Sequence, residues 1–181
     1  MKTVKNRGKA AVHKKETARR FGISTCSLGH VLVATSDVGI CAITLGDDPE
    51  FLWSDLQDRF PGAKRTRKDR TFQKTLAAVV RFVERPVKKF PLPLDVHGTP
   101  FQKQVWRALQ KIPLATTATY SDIAKRIGKP TAFRAVAQAC GANHIAVVIP
   151  CHRVVGSDGS LSGYRWGVKR KKALLKRESG N

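Results

Sequence analysis

Cys151, His152 and Arg153 follow one another directly after Pro150, and this run carries the densest potential chemistry of the 181-residue chain. A thiol attacks carbon only as its thiolate, so from an ordinary pKa of about 8.5 it needs a positive or proton-accepting neighbour. His152 and Arg153 offer one of each. Adjacent side chains on an extended strand leave on opposite faces, so His152 reaches Cys151 only if the chain turns there or a water relays the proton. A Cys-His pair equally fits a buried structural cysteine, and both readings stand at this point. The remaining cysteines, Cys26, Cys41 and Cys140, are scattered and form no C-x-x-C, which argues against a disulfide framework, a zinc ribbon or a thioredoxin-like site. Free thiols in a reducing compartment are the expectation.

Charge narrows the partner. Lys and Arg number 34 against 13 Asp and Glu, a formal net charge of +21, and an excess of that size points to a polyanion, nucleic acid ahead of an anionic membrane. Residues 97–181 hold fifteen of the basic side chains and only three acids, Asp122, Asp158 and Glu178, for a net +12. Residues 1–20 carry eight Lys or Arg against Glu16 and few large apolar side chains; they read as a basic, flexible arm, and a solvated tail without a specific partner fits as well. No apolar run approaches the ~18 residues of a membrane span, and the start MKTVKNRGKAAVHKK lacks the apolar segment of a secretory signal. A soluble, intracellular, cytoplasmic protein with no membrane partner is expected.

The elements that must position Cys151 follow from periodicity. Residues 23–45 read as an antiparallel meander with a turn at Ser36–Gly39. Helical spacing follows in PEFLWSDLQDRF, with Phe51, Leu52, Leu56 and Phe60 on one side, and in TFQKTLAAVVRFVE, with Phe72, Leu76, Val79, Val80 and Val83. The charged KRTRKDR between them reads as a loop. The Pro-marked stretch RPVKKFPLPLDVHG divides the chain, giving a boundary near residue 96 and units at 21–96 and 97–181. In the second unit Thr99 caps a helix that Pro100 opens, with Phe101, Val105, Leu109 and Ile112 as its apolar stripe. A helix over 120–127 ends at Gly128, and Pro130 opens an Ala-rich helix with Arg134 at its centre. The pair has the form of a helix-turn-helix, although two Ala-rich core helices would look the same. Residues 146–149 are predicted as a short buried strand delivering Cys151 at its end.

The string PCHRVV, with Asn143 eight residues before the cysteine and SGYRWG after it, resembles the signature of the O6-alkylguanine-DNA alkyltransferases, in particular the C-terminal repair domain of the bacterial Ada proteins. GTPFQKQVWRAL, TYSDIAKRIGKP, RAVAQAC and LSGYRWGVKRKKALLKRE extend the resemblance from about Gly22 to Glu178. It implies an α+β fold: an N-terminal ribonuclease H-like domain and a C-terminal helical, winged-helix-like domain whose helix-turn-helix binds double-stranded alkylated DNA through the minor groove, as a monomer. It implies Cys151 as the alkyl acceptor, His152 as its proton relay through water, Glu178 as the carboxylate orienting that histidine, and Asn143 as the brace of the active-site turn. Tyr120 would help rotate the nucleotide and donate toward guanine N3, Arg134 would fill the gap left by the extruded base, and Tyr164 would wall the pocket. Val154 and Arg165 would offer backbone groups to the guanine edge. Trp166 is expected to narrow the pocket.

The implied reaction is single-turnover repair: the nucleotide flips out, the thiolate takes the alkyl group from O6-alkylguanine, and a stable thioether remains, with no metal or organic cofactor. Activity on O4-alkylthymine stays open. The four-cysteine zinc domain of Ada is absent from residue 1 onward, so that switch is expected to be missing or carried by another polypeptide. A cysteine hydrolase built on Cys151, His152 and Glu178 is the rival enzyme, and a non-catalytic damage-recognition protein the rival binder.

Overall fold

A computed structural model describes residues 19–161 and 163–180, so the expected basic arm lies outside the described residues except for Arg19 and Arg20. The meander forms as β1 (Arg20–Cys26), β2 (Gly29–Thr35) and β3 (Ile40–Gly46), antiparallel in sequence order. Helix α1 (Pro49–Arg59) is capped by Asp48, and it buries Leu52 and Leu56 with Phe60 just past its end. Phe51 departs from the expected stripe and stands 68% exposed. The run 52–56–60 steps by one helical turn, whereas Phe51 sits about 100° away from Leu52.

The KRTRKDR segment is not wholly a loop. Lys64–Arg65 forms β4, which joins β1 in parallel and completes the sheet order β3-β2-β1-β4. Two residues are too short to show any alternation, so nothing in the sequence marked them. Helix α2 (Arg70–Glu84) then lays Phe72, Leu76, Val79, Phe82 and Val83 into the core. The chain is therefore mixed α+β, with a four-stranded sheet in its first half and short helices dominating the second.

Two features lock the halves together. Ile145 from the second half bridges Ile43 in the sheet of the first. One apolar cluster runs from Val31, Ile43 and Val83 through Trp106, Leu109 and Ile149 to Leu174.

The second half opens with α3 (Pro100–Leu109), whose Thr99–Gln102 capping box satisfies the first amides. Next come β5 (Ala118–Thr119), α4 (Tyr120–Arg126) and α5 (Phe133–Gly141). Gly128 takes φ 72° after α4, the left-handed conformation that ends helices. Helix α5 starts three residues later than Pro130. Ala132 donates to the Lys129 carbonyl at 2.9 Å, so Pro130 and Thr131 are spent in a turn. Arg134 consequently lies in the first turn of α5 rather than at its centre. A single 3-10 turn (Cys151–Arg153), β6 (Val154–Val155) and α6 (Val168–Glu178) complete the chain. Among the described residues, no helix is long and apolar enough to cross a membrane.

Candidate active site

Residues 146–149 are buried but do not form the expected strand. After the single bridge at Ile145 the chain coils: Val148 donates to the Ala146 carbonyl at 2.7 Å, Ile149 to Ile145 at 3.1 Å, and Val147 takes φ 66°. A short apolar run looks the same in sequence whether it is a buried strand or a buried turn. Asn143 holds this turn, accepting from the Ile145 amide through Oδ1 at 2.9 Å and donating through Nδ2 to the Ile149 carbonyl at 2.9 Å. The same Nδ2 lies 3.2 Å from Sγ of Cys151.

The 3-10 turn solves the geometric problem of the Cys-His pair. Three residues per turn fan the side chains about 120° apart, so thiol, imidazole and guanidinium leave in three directions. His152, wholly buried, places Nε2 2.7 Å from Oε1 of Glu178. Arg153 grips the same carboxylate, Nε to Oε2 at 2.8 Å and Nη2 to Oε1 at 2.9 Å, while Nη1 donates to the Ile112 carbonyl at 2.7 Å. Burial alone would raise the Glu178 carboxyl, but hydrogen bonds from His152 and Arg153 outweigh it and hold the pKa at about 2. An ionised Glu178 requires the proton on Nε2 of a neutral His152. Nδ1 is then a buried lone pair with no hydrogen-bond partner among the described residues. Burial pushes the imidazole pKa down, which favours that neutral form.

Cys151 is a thiol at rest. Burial raises its pKa to about 11, against the lowering effects of the Asn143 hydrogen bond and the Lys171 charge. The local cation expected from Arg153 is committed to Glu178. Lys171, fully buried on α6, acts in its place, and its Nζ donates to the Gly163 carbonyl at 3.4 Å. Sequence reasoning passed over Lys171. The available signal was the spacing 171–174–178, which puts Lys171, Leu174 and Glu178 on one buried helical stripe.

A cavity of about 280 Å³ opens onto Cys151. Ala137, Cys140 and Gly141 of α5 form one side; Gly163, Tyr164 and Arg165 form another, and Tyr120 closes the lining. Tyr120 is positioned by pairing: β5, which leads directly into it, runs parallel to β6, which follows the cysteine turn, with Ala118 opposite Val154. A Thr119–Asp122 capping box then starts α4 at Tyr120. Burial raises the phenol pKa of Tyr120, and more strongly that of Tyr164, so both remain protonated donors.

Cys151, His152, Glu178 and Asn143 thus form one connected group, with Tyr120, Tyr164 and Arg165 on the cavity beside it. Val154 stands apart, buried in β6 and outside the lining. Arg134 lies on the surface, one turn ahead of Ala137 and on the same face of α5. Trp166 does not narrow the cavity as expected: it is buried behind Tyr164, with ring centroids 5.2 Å apart.

A family model for the 6-O-methylguanine DNA methyltransferase DNA binding domain matches residues 100–180. The chain is 52% identical over 164 residues to the bifunctional transcriptional activator/DNA repair enzyme Ada of Escherichia coli (strain K12), covering 91% of this chain and 46% of that one. It therefore spans about half the length of the Ada proteins it matches. A methylated-DNA–protein-cysteine methyltransferase of Methanosarcina barkeri is 38% identical over 161 residues, covering 89% of this chain and 98% of the relative. The crystal structure of Mycobacterium tuberculosis OGT in complex with DNA superposes with a TM-score of 0.73 at 31% identity, covering 90% of this chain and 93% of the other.

Proposed function

Because the chain belongs to the methylated-DNA–protein-cysteine methyltransferase family, we propose that it repairs O6-alkylguanine in double-stranded DNA by moving the alkyl group irreversibly onto its own Cys151. One observation carries the reading: the Cys151 thiol lines a cavity while Asn143 holds its sulfur and the adjacent His152, kept neutral by burial, is oriented by Glu178.

The reacting atom of an alkylated guanine is out of reach in a stacked duplex, so the nucleotide is extruded at a cost of a few kcal/mol. Arg134, on the outer start of α5, enters the gap left in the stack and opposes reclosure. In the cavity the base lies against Tyr164, with backbone groups of Arg165 along its edge; Val154, outside the lining, takes no part in this role. A water between Sγ and Nδ1 of His152 passes the thiol proton to the imidazole, and the resulting imidazolium is stabilised by ionised Glu178. Asn143 and Lys171 stabilise the thiolate as it forms.

The sulfur–carbon bond forms as the carbon–O6 bond breaks, and the electron pair leaves with the guanine. Tyr120, kept protonated by burial, donates toward N3, so a neutral base departs. The imidazolium of His152 then gives up its proton and Tyr120 regains one through solvent, so that overall the thiol proton ends on guanine. A thioether has no reactive handle for these groups, so each chain acts once, and no step calls on a metal or organic cofactor.

The same reading places the duplex against the α4–α5 pair through its minor groove, with the chain acting as a monomer. It divides the chain near residue 96 into a ribonuclease H-like unit (21–96) and a winged-helix-like unit (97–181). The sheet with α1 and α2 on one side of that boundary, and the short helices on the other, support the division.

Stoichiometry tests the proposal. Radiolabelled methylated duplex in excess should give one burst of at most one methyl per chain and then stop. The label should reside on Cys151 within the tryptic peptide of residues 135–153, which also contains Cys140. A hydrolase would turn over, a pure binder would show no burst, and label on Cys140 would refute the site.

A further inference from the structure

Arg165 does more than line the cavity. Its Nη1 donates to the Gly141 carbonyl at 3.2 Å, and its Nη2 pairs with Oδ1 of Asp55 at 3.0 Å. Gly141 is the last residue of α5 and forms the opposite side of the cavity, where an unshared helix carbonyl attracts a cation. Asp55 belongs to α1, in the other half of the chain and 110 residues away, and its second carboxylate oxygen is taken by Arg59. The guanidinium therefore spans the cavity rim and is held there by an acid from outside the helical half.

The segment that carries Arg165 has hinge points. Gly163 and Gly167, at φ 67° and 93°, take up a backbone conformation that other residues rarely adopt, and they bracket Tyr164, Arg165 and Trp166. On the inner side this segment is fixed by the Lys171 bond to the Gly163 carbonyl and by Tyr164 packing on Trp166. On the outer side Arg165 is the tie that reaches across to Gly141. The distance between the Tyr164 side and the α5 side limits what can stand beside Cys151, and Arg165 sets that distance at the rim.

We infer that Asp55 is a specificity-determining residue: by holding Arg165 across the rim it fixes the width of the alkyl pocket and disfavours bulky alkyl groups. The inference rests on the alkyl-transfer reading of Cys151. Asp55 touches no substrate and acts through Arg165, so it is a positioning residue.

The test compares wild type, D55N, D55E and R59Q in two measurements. The first is the ratio of Cys151 alkylation rates with free O6-benzylguanine and with methylated duplex. The second is hydrogen exchange of the backbone amides of residues 163–167. D55N should raise the benzyl-to-methyl ratio about threefold to fivefold, the size expected of a partly exposed ion pair, and should speed exchange. D55E, which keeps the carboxylate, and R59Q, which leaves the Asp55–Arg165 pair intact, should retain wild-type values. R165K keeps a cation but lacks the planar fork that reaches both acceptors, so it should reproduce the D55N shift and decides the matter if D55N does not fold. An unchanged ratio or unchanged exchange in the folded variant overturns the inference. A wild-type chain that takes up no methyl refutes the reading of the site instead, and exchange, which needs no chemistry, then judges the clasp separately.

Discussion

One amide group of Asn143 serves both the backbone and the nucleophile: Nδ2 donates to the Ile149 carbonyl at 2.9 Å and lies 3.2 Å from Sγ of Cys151. The shape of the turn and the acidity of the thiol therefore depend on a single side chain. Asn143→Leu should strand the Ile145 amide in the core, costing about 1–3 kcal/mol for an unsatisfied buried group, and should leave the Ile149 carbonyl with only the Cys151 amide as its donor. It should also push the Cys151 pKa further above about 11. Urea unfolding and the pH dependence of thiol alkylation by a small reagent measure the two effects. A variant that loses stability while its thiol titrates as in wild type would mean that Asn143 only braces the turn.

Glu178 makes stability depend on pH in a defined direction. Its folded pKa of about 2 lies below the ordinary 4.5, so its contribution is complete above 4.5 and is lost as pH falls from there toward about 2. His152 adds a second window. Burial lowers its folded pKa, so below about pH 6.5 the unfolded chain takes up the proton first and stability begins to fall. Glu178→Gln should cost about 3–5 kcal/mol at neutral pH, because Arg153 is left buried without its carboxylate. The slope between roughly pH 4.5 and 2 should flatten. Urea midpoints measured across pH would contradict this if the neutral-pH midpoint did not move.

Cys151→Ser should abolish alkyl transfer and leave duplex affinity within a few fold, since phosphate neutralisation supplies most of the binding energy. Transfer assays and a binding isotherm at fixed salt separate the two. Joint loss of binding and transfer would indicate a folding defect rather than a chemical one.

Arg134→Ala removes an exposed side chain from the first turn of α5, so stability should change by no more than about 0.5 kcal/mol. Transfer from methylated duplex should slow, because nothing then fills the gap in the stack. Transfer from free O6-benzylguanine should be unaffected, because a free base leaves no gap. Equal rates for wild type and variant on duplex would remove Arg134 from the flipping step.

Local rules made most of the frame legible. The three long strands, the Thr99 cap and the left-handed Gly128 all rest on interactions within a few residues. What the sequence hid depends on distant partners. β4 exists only because β1 lies beside it, and the coil at 146–149 only because Asn143 reaches forward to hold it. The resemblance pointed to Glu178, but not to Arg153 as its second partner, since the sharing depends on the 3-10 turn packing against α6. The Asp55–Arg165 tie joins residues 110 positions apart and leaves no periodic trace.

Lys171 was the least legible residue of the site, because a lysine among RKK reads as solvated surface, and it makes the sharpest prediction. Burying an ammonium costs several kcal/mol, and a well-packed apolar replacement of similar volume often relieves that cost. The placement is explained by chemistry: Lys171 opposes the rise that burial imposes on the Cys151 pKa, while burial lowers the pKa of Lys171 against the raising effect of Cys151. Lys171→Met should therefore leave stability unchanged or increase it, while raising the Cys151 pKa and slowing methyl transfer. The slowing should diminish as pH rises toward the higher thiol pKa, because the thiolate then forms without help from the cation. Urea unfolding paired with transfer rates across pH provides the check. A variant that lost stability and reacted at the wild-type rate would show that Lys171 serves packing and not the nucleophile.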